Sequence, residues 1–181
     1  MSDKARAYFE KPQAEAADSP YLDRKGDLLF KYYGNPWLSV GCGETWMEDP
    51  SEACDLVRAP LLRRRQAGDS CVQGDAMQLP YKSERFVLVS ALSMLYYVPD
   101  QRQAVLEVER VLRPGGIAIL EFLGWSLRAL HSMWKYPLPH YPLLKAQIRS
   151  ILAGWEILEW HECLRDVLPA KHLVVARKRR E

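Results

Sequence analysis

The chain has 181 residues, 48% hydrophobic and 27% charged, which suits one domain over 1–181 with a full core. A net charge of +2 argues against a nucleic-acid protein, and no stretch approaches the ~18 apolar residues of a membrane span. The opening "MSDKARAYFEKPQAEAADSP" mixes both charge signs without an apolar core, so a soluble, cytoplasmic protein is expected.

In chain order, Trp37 to Val40 is a short apolar run closed by glycine, and Ala53 to Val57 is a second. "APLLRRRQAG" reads as a short helix ending at Gly68, with Arg63 to Arg65 on its solvated face. "SCVQG", Arg85 to Leu92 and Gly116 to Phe122 are three further strand-length runs, apolar on both faces as in a buried parallel sheet. Between the last two, Ala104, Val105, Val108, Val111 and Leu112 mark one face of a helix that Pro114-Gly115-Gly116 stops. A helix from Leu143 to Leu152, ended by Gly154, precedes "WEILEW" and "KHLVVARK", which read as an antiparallel pair at the sheet edge. Strands alternating with helices predict an α/β, doubly wound, Rossmann-like sheet, mostly parallel with an antiparallel C-terminal strand.

Ligands of such sheets bind beyond the carboxyl ends of the strands. The first strand ends in Gly41-Cys42-Gly43, where glycine permits positive φ and a close approach to the backbone, for a ligand or for a tight turn alone. Asp55 ends or nearly ends the second strand, where a carboxylate can accept hydrogen bonds from both ribose hydroxyls of a nucleoside. Gly74-Asp75-Ala76 ends the third; an acid there can accept from an adenine amine, while Ala76 and Met77 offer an amide and an apolar surface. Each acid taken singly also fits a helix cap or a surface charge. If Asp55 serves a ligand alone, the ligand-free fold does not need it. Cys42, Cys54, Cys71 and Cys163 form no C-x-x-C pair and no metal-ligand spacing with the histidines, so buried reduced thiols and no metal are expected.

The series "LSVGCGE", "ACDLVRAPLLRRRQAG", "VQGDAMQLPYKSERFVLVSALSMLYYVPD" and "EVERVLRPGGIAILEF" resembles the class I S-adenosylmethionine-dependent methyltransferases, in the small-molecule branch of ubiquinone and menaquinone biosynthesis. The resemblance runs from Leu38 to Phe122, and "AGWEILEW…HLVVARK" fits the family's closing hairpin. It implies a seven-stranded sheet and a cofactor, S-adenosyl-L-methionine, whose product is S-adenosyl-L-homocysteine. It also implies that the methionine part lies at Gly41, Cys42 and Gly43, the ribose at Asp55 and the adenine at Asp75 and Ala76. Ser39, Leu56, Met77 and Ser90 join them as implied cofactor-binding residues. No catalytic side chain is singled out.

A nicotinamide dehydrogenase would share the first strand and the ribose acid, but its G-x-G-x-x-G turn has Trp46 at the sixth position here, too bulky for a helix N-terminus to approach a diphosphate. The loop also departs from the methyltransferase pattern. Ser39 stands where the family has an acid, Thr45 where it has a third glycine, and Val87 where it commonly has Asp. "ETWMEDPSEAC" leaves space for about one helical turn, so Trp46 and Met47 either lie over the cofactor or fill the gap as core. Tyr8, Phe9 and Tyr21, with Trp125, His131, Trp134, Tyr136 and His140, are the candidates to line an acceptor pocket for a planar or lipophilic small molecule, or to pack beneath a short lid. His131 or His140 offers a general base, or a structural ring. Two functions follow: methyl transfer to a small-molecule acceptor, or a non-catalytic relative that serves as a protein's binding or regulatory partner.

Overall fold

The computed structural model describes residues 20–43, 50–126, 130, 140–164 and 169–180. Helix α1 (Pro20–Lys31) leads into β1 (Trp37–Val40), β2 (Glu52–Asp55), α2 (Arg58–Gln66) and β3 (Cys71–Gln73). After β4 (Phe86–Ala91) come a 3-10 turn (Leu95–Tyr97), α3 (Gln101–Val111) and β5 (Leu112–Leu123). Helix α4 (Lys145–Ile151) and the strands β6 (Glu156–Leu164) and β7 (Pro169–Arg177) complete the order.

The seven strands form one sheet, β3-β2-β1-β4-β5-β7-β6. The first five are parallel, and β7 runs antiparallel to both β5 and β6. Because strand side chains alternate, Leu38 and Val40 of β1 face one side with the apolar stripe Ala104, Val105 and Val108 of α3 and with Ile148 of α4. Trp37 faces the other, with Leu28 and Leu29 of α1. Ala53 pairs with Ser39, on the Trp37 side, and packs with Leu61, so α2 shares that face with α1. Apolar cores therefore cover both faces, the reason the strands read as unbroken apolar runs.

Several boundaries differ from the sequence expectation. α1 was not foreseen: its buried residues include Lys25, which breaks an otherwise recognisable stripe. β2 ends at Asp55, two residues early, because Asp55 turns back to take the Val57 amide. α3 ends at Val111, before Pro114, because the amides of Glu84 and Arg85 occupy the carbonyls of Arg110 and Val111. β5 then begins at Leu112, with Leu112 beside Phe86 and Ile117 beside Leu88; an irregularity in the pairing absorbs Pro114 and the two glycines. Val87 fills the niche beside Gly34, where an added Cβ would meet its Cγ1 at 2.9 Å.

Candidate cofactor site at the strand ends

Beyond β1, the Gly41 amide donates to the Cys54 carbonyl (2.7 Å) and the Gly43 amide to Asp55 Oδ2 (3.0 Å). The other carboxylate oxygen, Oδ1, accepts from the Val57 amide (2.8 Å). Asp55 thus clasps the loop after β1 to the turn after β2. Burial raises its pKa, and the amides of Val57, Gly43 and Leu56 offset part of that rise.

Gly41 and Gly43 both have positive φ, +66° and +51°, yet they serve different ends. A Cβ on Gly41 would lie 2.5 Å from Cβ and Cγ of Met94, so this niche is filled from within the protein. On Gly43 nothing among the described residues stands within 4 Å, which leaves an open approach to the backbone beside Asp55. Gly41→Ala is expected to destabilise the fold by left-handed strain of ~1–2 kcal/mol and by overpacking of ~1–3 kcal/mol. Gly43→Ala is expected to add only the strain, ~1–2 kcal/mol, and to weaken any ligand seated there. Thermal unfolding with and without S-adenosylhomocysteine separates the two.

After β3, Asp75 Oδ1 accepts from the Met77 amide (2.9 Å). The segment that follows is gripped by one face of α3. Gln103 Nε2 donates to the Met77 carbonyl (3.2 Å), and Glu107 accepts from the Leu79 amide (2.7 Å). Arg110 donates to the carbonyls of Leu79 (3.0 Å) and Tyr81 (2.8 Å), and Glu107 is held below the usual carboxylate range chiefly by its bond to Arg110. "EVER" was read as part of a motif without a role; its spacing of three between Glu107 and Arg110 puts both on one helix face.

Ser39 and Ser90 are paired neighbours across β1 and β4, both buried, and Ser90 Oγ accepts from the Trp37 indole (2.9 Å). Leu56 supplies its carbonyl to Gln73 Nε2 (3.0 Å). Cys42, Cys54 and Cys71 are buried, and burial pushes the Cys54 thiol up to about 12. Among the described residues no group of His, Cys, Asp and Glu could hold a metal. Trp46 and Met47 fall outside the described residues, as do Tyr8, Phe9, His131, Trp134 and Tyr136. Trp125 and His140 line a cavity of about 550 Å³ with Pro99, Tyr141, Leu143 and Ile151. His140 stacks on Tyr96, ring centroids 6.0 Å apart.

Three successive strand ends thus carry a glycine turn and two carboxylates, and residues 38–120 match the family described as a methyltransferase domain. Residues 38–120 belong to the class I S-adenosylmethionine-dependent methyltransferases. The chain is 46% identical over 131 residues to 27-O-demethylrifamycin SV methyltransferase of Amycolatopsis mediterranei, covering 63% of this chain and 48% of that protein. A malonyl-[acyl-carrier protein] O-methyltransferase of Pseudescherichia vulneris is 32% identical over 145 residues, 72% of this chain and 58% of that one. The chain therefore spans about half the length of these curated relatives. A methyltransferase structure from Methanosarcina mazei shares the fold with a TM-score of 0.68 at 18% identity, covering 85% of this chain and 98% of that one.

The family's cofactor, S-adenosylmethionine, fits the residues present at these strand ends. Among the described residues nothing fills the space at Gly43, and the Asp55 and Asp75 carboxylates are acceptors of the type that hydroxyl and amine donors need. Asp55 can accept from a ribose while keeping its two amides, because each carboxylate oxygen has a second lone pair.

Proposed function

We propose that this chain binds S-adenosylmethionine along the ends of β1, β2 and β3 and promotes methyl transfer to an oxygen of a small, largely apolar acceptor. The observation that carries this reading is the open Gly43 niche beside the Asp55 carboxylate, within a segment matched to a methyltransferase domain. Gly41, Cys42 and Gly43 take the methionine end, Asp55 with Leu56 the ribose, and Asp75, Ala76 and Met77 the adenine. Ser39 and Ser90 support the loop from below: both are buried in the sheet, and the Ser90 hydroxyl is engaged by Trp37. When bound, the cofactor supplies an electrophilic methyl on a sulfonium. The protein's part is to hold the donor and an acceptor oxygen in line and to exclude water, which can contribute ~7–11 kcal/mol through positioning alone.

The cavity beside Trp125 and His140, mostly apolar but lined also by Asp100 and Arg102, is the acceptor pocket in this reading, with the His140 imidazole as the candidate to take the acceptor's proton. Both relatives described above are named as O-methyltransferases or for a 27-O-demethyl substrate, which favours oxygen as the acceptor atom. No described helix is long and apolar enough to cross a membrane. Titration calorimetry with S-adenosylmethionine and S-adenosylhomocysteine is the test. Micromolar binding of the homocysteine form, weakened in Gly43→Ala, is expected. No heat at high ligand concentration overturns the reading in favour of a non-catalytic relative.

A further inference from the structure

Just past the carboxyl end of β4 lies a buried ionic cluster that the cofactor reading does not use. Glu121 of β5 is 0% exposed, and each of its oxygens meets an ammonium at 2.5 Å: Oε2 that of Lys25 from α1, Oε1 that of Lys171 from β7. Oε2 also accepts from the amide (3.2 Å) and hydroxyl (3.3 Å) of Ser93, and Lys25 donates to the same hydroxyl (2.8 Å). Ser93 sits at φ +56°, a left-handed conformation that a serine adopts only when its surroundings impose it. The next residue is Met94, whose side chain fills the niche over Gly41.

These facts form a continuous path. The carboxylate fixes the Ser93 backbone, the Ser93 conformation aims Met94, and Met94 closes over the first glycine of the cofactor loop. We propose that Glu121, with Lys25, is a positioning device for the methionine end of the cofactor site, acting through Ser93 and Met94 rather than by touching the ligand. The inference rests on the cofactor reading above and assigns a role to a segment, α1, that lies outside the matched domain. A cluster that served stability alone could use apolar side chains, since a buried ion pair seldom outperforms well-packed hydrocarbon. What apolar packing could not supply is a carboxylate oxygen that accepts from both the amide and the hydroxyl of one serine.

Ser93→Gly is the discriminating variant. Glycine tolerates φ +56° without strain, so the change relieves the conformation and deletes the hydroxyl while leaving the Glu121–lysine pairs in place. If the cluster positions the site, Ser93→Gly weakens S-adenosylhomocysteine binding about tenfold, equivalent to ~1.4 kcal/mol, with an unchanged or higher thermal midpoint in the ligand-free protein. Met94→Ala should weaken binding in the same way, and adding it to Ser93→Gly should cause little further loss, because both act on one path. Wild-type affinity in Ser93→Gly and Met94→Ala overturns the proposal. Failure of the wild-type protein to bind the homocysteine form would instead overturn the cofactor reading.

Discussion

Asp55→Ala weakens S-adenosylhomocysteine binding by ~2 to 3 kcal/mol, because a charged acceptor of ribose hydroxyls is removed. The sequence expectation was that the ligand-free protein would not notice. The structure reverses that part: the carboxylate also holds the amides of Gly43 and Val57, and Asp55→Ala leaves both without their acceptor. Each such loss costs ~1–3 kcal/mol where water does not replace the acceptor, and relief of the desolvated charge returns a part. A fall of several degrees in the ligand-free midpoint should accompany the loss of affinity. The pH dependence follows from the same burial. A carboxyl whose folded pKa is raised favours the protonated fold, contributing stability that is full below the unfolded pKa and lost as pH rises through the folded one. Ribose binding wants the ionised form, so affinity should fail on acidification sooner than for an ordinary aspartate. Calorimetry at stepped pH, with Asp55→Asn as the reference that no longer titrates, reads this directly.

Glu121→Ala is expected to cost ~3–5 kcal/mol of stability, the loss typical of removing one partner from a buried ion pair. Each kcal/mol lowers the midpoint of a domain this size by roughly 2–4 °C. Burial works to raise the Glu121 pKa, but Lys171 and Lys25 outweigh it and leave the carboxyl below its ordinary value. A depressed folded pKa gives stability that is present above the unfolded pKa and drains away as pH falls through the folded one. The wild type should therefore lose this contribution on acidification below the ordinary glutamate range, and Glu121→Ala should show a flatter acid limb. Replacing all three groups, as Lys25→Met, Glu121→Leu and Lys171→Met together, should recover most of the stability without restoring ligand affinity. Recovery of both would return the cluster to a purely structural role.

How legible this was depends on what each residue had to say locally. Trp37 to Val40 and Phe86 to Ala91 announce themselves because strands covered on both faces need apolar residues at every position. Gly41, Asp55 and Asp75 drew notice because strand ends in an open sheet are where ligands meet backbone, whereas the local amides that both acids accept from could not be read from the sequence. Glu121 carried a signal that went unused: one acid inside "AILEFL" has no solvated face to occupy and must have found a partner. Its partners could not be read, since Lys171 lies 50 residues on and Lys25 belongs to a helix whose pattern it interrupts. The start of β5 was missed for a related reason. Its pairing with Phe86 is set by a neighbouring strand, while Pro114 and Gly115 speak only of the local chain.

The position of β7 bears on the order in which a ribosome can let this protein take shape. β6 emerges first but has only β7 for a neighbour, and β7 must enter between β5 and β6. Until Pro169–Arg177 has left the exit tunnel, β5 keeps one side bare and β6 has no sheet to join. The parallel strands that carry the glycine turn and both acids can pair earlier, while Glu121 still waits for the ammonium of Lys171. A nascent chain halted before that strand would display an unfinished β5 edge, an unpaired row of backbone groups of the kind that templates wrong pairings.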